Sequence, residues 1–120
     1  LGSIEWAGEN DAQEATTYGK ILVEASEVDD TDEAGKMSFF VAESDGTTSQ
    51  LTAGLILEGE HATDGEVDVT IAAGAGSTTT VSGDLTVTGD VVMMANLPTS
   101  DPSNAGQLWN DSNTLKISAG

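Results

Sequence analysis

The chain has 120 residues, three Lys+Arg against 21 Asp+Glu, and a formal net charge of −18. This balance excludes nucleic acid as a partner, because no phosphate backbone is drawn to so acidic a surface. The chain contains no cysteine, which rules out disulfides, thiol catalysis and Cys-type zinc sites, and no apolar run approaches the length of a membrane-spanning helix, so no membrane insertion is expected.

Leu, Ile, Val and Phe together make up 25 residues, about a fifth of the chain. With this charge, that content lies close to the composition of disordered chains. The apolar residues nevertheless fall in short alternating runs. The expectation is therefore an ordered β structure whose core is completed by another chain.

From Leu1 to about Glu60 four runs keep period two: Ile4 and Trp6; Ile21, Val23 and Ala25; Met37, Phe39 and Val41; Leu51, Ala53, Leu55 and Leu57. Between them lie "GENDAQEATT", "EVDDTDEAGK" and "ESDGTTS", rich in the Asp, Asn, Gly and Thr of tight turns. The pattern predicts a β-meander over residues 1–60 with one apolar face. Phe40 follows Phe39 and must point the other way, toward a neighbouring chain or the surface.

Residues 61–95 read as a shaft of shorter strands. Val67, Val69 and Ile71 alternate with acids and Thr, and "GAGSTTT" follows as a connector. In "VSGDLTVTGDVVMM", Val81, Gly83, Leu85, Val87, Gly89, Val91 and Met93 hold every odd position, and Gly-Asp recurs six residues apart. One strand cannot cover such a stripe. Packing around a three-fold axis against two other chains would bury it, with the glycines allowing close approach.

Residues 96–120 begin with Pro98 and Pro102, which interrupt any ladder, and end in two short strands, "GQLWN" and "TLKIS", joined by "DSN". A terminal hairpin is expected, with Leu108, Leu115 and Ile117 on the closing face and Trp109 opposite. The trimer-core candidates are thus Val81, Leu85, Val87, Val91, Met93, Leu108, Leu115 and Ile117. Trp109 and Phe40 are the candidates for a receptor-facing surface.

The ending "LPTSDPSNAGQLWNDSNTLKISAG" resembles that of tail-fibre and structural proteins of marine bacteriophages, cyanophages included. The segment from Leu1 to Glu60 is similar to the β-rich module, patterned G-x-I-x-F-x-G, then TTY, then D-x-T-D, that precedes such shafts. Trp6 stands at the Phe of that pattern, and Glu33-Ala34-Gly35 replaces a longer turn. The resemblance implies an all-β, elongated, intertwined homotrimeric virion fibre with a triple-β-helix or β-prism shaft, and a chain that is the distal part of a longer fibre. Its partners would be its own copies, other virion proteins and a host-surface receptor. The alternative it leaves open is a capsid head fibre or decoration protein.

Chemical sites are sparse. Asp29, Asp30, Asp32 and Glu33 cluster in one turn and are a weak calcium candidate, without the spacing of an EF-hand. His61 is the lone histidine, which reads as a solvated loop residue. The carboxylate pairs Glu58/Glu60 and Asp64/Glu66 fit glycoside hydrolysis by residue type, but pairs are expected by abundance in so acidic a chain. No cofactor and no enzymatic activity are expected, and a polysaccharide depolymerase is the weakest reading.

Overall fold

The computed structural model describes every residue except His61, Thr63 and Asp64. All its regular elements are strands: β1 (Gly2–Glu9), β2 (Ala15–Glu27), β3 (Ala34–Ser44), β4 (Ser49–Gly59), β5 (Val67–Ile71), β6 (Leu108–Asp111) and β7 (Thr114–Ile117). The first five form one antiparallel sheet in the order β1-β2-β3-β4-β5, and β6 pairs with β7 in a separate hairpin. The all-β, meander-first organisation expected from the alternating runs is therefore present. By compactness the chain divides into Leu1–Thr80 and Val81–Gly120.

The turns are closed by the residue types that marked them in the sequence. After β1, Asn10 Oδ1 accepts from the backbone N–H of Ala12 and Glu14. After β3, Asp45 Oδ1 accepts from those of Thr47 and Thr48 while Gly46 adopts φ +89°. These N–H groups hold the Asp45 carboxyl below its ordinary pKa, Thr48 contributing most. A short polar side chain thus replaces the turn's missing backbone partners.

Directly opposed residues of an antiparallel pair share a face, and the register builds two uninterrupted rows across all five strands. Ile4, Ile21, Phe39, Leu55 and Ile71 form one row; Gly2, Val23, Met37, Leu57 and Val69 form the next. The opposite face carries Ser3, Leu22, Ser38, Ile56 and Thr70, and beside them Glu24, Lys36, Glu58 and Asp68. Lys20–Glu5 and Lys36–Glu58 ion pairs, each 3.1 Å, lie on this charged side. Being partly exposed, each contributes at most about 1 kcal/mol.

Two features depart from the sequence reading. β5, grouped by its sequence position with the shaft, is the fifth strand of the sheet, paired to β4 from Leu55↔Ile71 to Gly59↔Val67. In β4 the apolar parity breaks: Phe39 faces Leu55 but Phe40 faces Ala53, so Gly54 is an extra, unpaired residue. This bulge moves Ala53 and Leu51 to the face of Phe40 and Ala42, away from Leu55 and Leu57. The Gly54 carbonyl is taken by the N–H of Ala72, 2.9 Å away, just past the end of β5.

No apolar side chain is buried among the described residues; only Ser38 and Ser118 are, each 3% exposed. A sheet one layer thick has no second layer to cover either face.

Candidate functional site

Two surfaces stand out once the strands are placed. The first is the face of the sheet that carries the Ile4–Ile71 row. Its central strands half-cover one another's side chains, so Ile21, Val23, Phe39, Leu55 and Leu57 are half-buried. Toward the edges Ile4, Trp6, Val67, Val69 and Ile71 are between 53% and 61% exposed. Two glycines are shielded here by aromatic rings from the neighbouring strand. Trp6 lies over Gly19, its Cε3 3.8 Å from where a Cβ would stand, and Tyr18 lies over Gly8 at 3.4 Å. The bulge that unpairs Tyr18, between the pairs Trp6↔Gly19 and Ala7↔Thr17, permits the second contact.

The second surface is the segment that alternates most strictly in the sequence. Every residue from Val81 to Asn96 is exposed, and residues 81–93 form no backbone hydrogen bond and no strand pairing among the described residues. Leu85 and Val91 are each 75% exposed, Met93 82%, Val81 54% and Val87 52%. The expected strand is absent within one chain because a ladder needs a partner and this segment has none in its own unit. Backbone N–H and C=O groups left so are a template for pairing.

The terminal hairpin is locally complete. Leu108 opposes Ile117 and Asn110 opposes Leu115, which places Leu108, Leu115 and Ile117 on one face; Trp109 and Lys116 share the other. Ser112 and Asn113, with φ of 52° and 70°, make the two-residue loop with both dihedrals positive that suits a hairpin's twist. Pro98 has a role beyond interrupting a ladder, since its carbonyl accepts from Asn110 N–H at 2.8 Å. Leu115 and Ile117 are 58% and 69% exposed.

Trp109 is half-buried, with Lys116 Nζ 5.4 Å from its ring centre. Its indole N–H is buried with no acceptor among the described residues. Lys116 also pairs with Asp111, and this bond and charge hold the Asp111 carboxyl below its ordinary pKa.

A lock that sequence reading missed ties the hairpin to the segment before it. The buried Ser118 hydroxyl donates to Asp101 Oδ1 at 2.6 Å and accepts from the backbone N–H of Asn104. Asp101 accepts also from Ser103 N–H, and these bonds, Ser118's first, keep its carboxyl below the ordinary value. Residues 17 apart carry no local pattern that would reveal the pairing.

The chemical candidates stay dispersed. Asp29, Asp30, Asp32 and Glu33 occupy the β2–β3 connection, and among the described residues no three His, Cys, Asp or Glu side chains are grouped to hold a metal ion. His61 and Asp64 lie outside the described residues. A cleft of about 620 Å³ beside the Gly54 bulge brings in one titratable group, Glu43, whose carboxylate accepts from Gln50 and Thr52. Phe40 is half-buried on the charged side of the sheet, between Lys20 and Ala53.

No known protein family, curated protein or solved structure matches this chain.

Proposed function

We propose that the chain is a structural protein of a bacteriophage virion, a homotrimeric fibre whose extracellular part contributes to host-surface attachment. The observation that carries the reading is the exposed, unpaired segment from Val81 to Met93 with its six-residue Gly-Asp repeat. An alternating stripe with a free backbone is the material of an intertwined shaft, in which each chain supplies the others' ladder partners. The likeness of the C-terminal 24 residues to fibre endings, noted above, supplies the biological setting.

Surface area supports obligate assembly. The chain exposes 9359 Å², whereas two compact globules of the sizes of its two units would expose about 7,200 Å². The excess, roughly 2,100 Å² per chain, is more than twice the ~800 Å² each partner buries in a standard interface. Three copies around one axis use that surface.

The experiment that tests the biological half is labelling of intact phage particles with antibody against residues 97–120. Decoration of tail-associated fibres is expected. Decoration of the capsid would favour the head-fibre reading, and particles without the antigen would refute a virion role.

A further inference from the structure

The two faces of the sheet differ in one respect more than any other. On the face built from the Ile4–Ile21–Phe39–Leu55–Ile71 row, the flanking rows are Gly2–Val23–Met37–Leu57–Val69 on one side and Trp6–Gly19–Val41–Thr52 on the other. None of these fourteen positions bears a charge, in a chain where 20% of residues do. Six charges of the same strands, Glu5, Lys20, Glu24, Lys36, Glu58 and Asp68, stand on the opposite face, while Glu43, opposite Gln50 in the row beyond Val41–Thr52, lies at the margin of this one with its carboxylate taken by Gln50 and Thr52. Random placement does not segregate charge this way; a face that spends its life out of water requires it.

We infer that this face is where the chains meet: the Ile4–Ile71 face of one chain packs against the same face of the other copies, enclosing a core made by the sheets alone. The inference rests on the homotrimeric reading and extends it from the shaft segment to the five-stranded module. Three arguments select a copy of the chain as the occupant.

An occupant must itself be nearly charge-free, since any carboxylate or ammonium brought onto this face would be desolvated without a counter-ion. The chain offers such a surface, of matching width, on its own sheet. Next, the four acids and two lysines of the other face hold that face in water, so copies approach through the three rows that carry no charge. Finally, the area fits. Residues Val81–Met93 alone are a narrow strip, and the surface excess of roughly 2,100 Å² per chain needs the sheet as well to be covered.

Ridges on the face are suited to interdigitation. Trp6 and Tyr18 fill the positions above Gly19 and Gly8, so the surface is continuous where two side chains are missing. Sheets packed this way sit about 10 Å apart with side chains of both inner faces meshed.

The absence of cysteine from the chain gives a direct test on the full-length protein. Four single substitutions are compared: Ile4→Cys and Ile71→Cys on the inferred interface, Ser3→Cys and Thr70→Cys on the other face. All four positions are exposed in the single chain, Ile4 at 60% and Ile71 at 58%, so a difference between them reports a cover over one face. Thiol modification of the first pair is expected to be slower than that of the second by on the order of a hundredfold, and the difference should vanish in urea. Native mass is measured on the same samples. Three chains with equal rates on both faces would overturn the face assignment and leave the trimer standing. A single-chain mass with equal rates would overturn both and leave the face open to a different partner. A single-chain mass with Ile4→Cys and Ile71→Cys protected would overturn self-association and assign the cover to the chain's own segment.

Discussion

Leu85→Asp is expected to abolish assembly, while Thr86→Asp, one residue along, leaves it intact. In the single chain Leu85 is 75% exposed, so a carboxylate there costs the isolated chain nothing. In a shaft that gathers the odd positions around an axis, three carboxylates would meet in an apolar core. Each costs several kcal/mol to desolvate unless it takes up a proton, and the three repel. Thr86 has the parity of Asp84 and Asp90, positions where the sequence already carries carboxylates. Sedimentation of both variants reads the outcome, and equal behaviour of the two would mean that the odd positions are not the dry ones.

Trp109→Ala should destabilise the terminal hairpin by about 1–2 kcal/mol, roughly half the value of a fully buried ring, together with the loss of the Lys116 contact to its face. Trp109→Phe separates the ring from its N–H. Phenylalanine keeps an aromatic face for Lys116 and removes a buried donor that has no acceptor among the described residues, so it should cost less than half as much. Thermal unfolding followed on the assembled protein distinguishes the cases. If Trp109→Phe proves as damaging as Trp109→Ala, the indole N–H has a partner in another copy. If Trp109→Ala leaves stability unchanged but weakens host adsorption, the ring is receptor surface and its packing role is refuted.

Sequence periodicity located the meander strands because a half-buried strand writes its burial into alternate residues. Ile21, Val23, Met37, Phe39, Leu55 and Leu57 were legible for that reason. Parity alone does not say which strand lies beside which, so β5 was read as shaft although its Val67, Val69 and Ile71 complete the sheet's rows. The Gly54 bulge had a visible signal, a lone glycine within an alternating strand; the expectation of one continuous face over Leu51–Leu57 overlooked it. Once the bulge is placed, the two halves of β4 serve opposite faces.

Side-chain pairings between distant positions were not legible. Ser118 in "KISAG" looks like any solvated serine, and only the folding of residues 98–107 back onto the hairpin sets it against Asp101. Segment 81–93 shows the converse limit. Its alternation was plain in the sequence, yet among the described residues no ladder forms there, because alternation marks a face and does not supply a neighbouring strand.

The central claim is that one chain holds only part of a core and that three complete it. Native mass spectrometry of the full-length chain at micromolar concentration tests this most directly. The account predicts a species of three chains with little monomer; a stably folded species of one chain would contradict it.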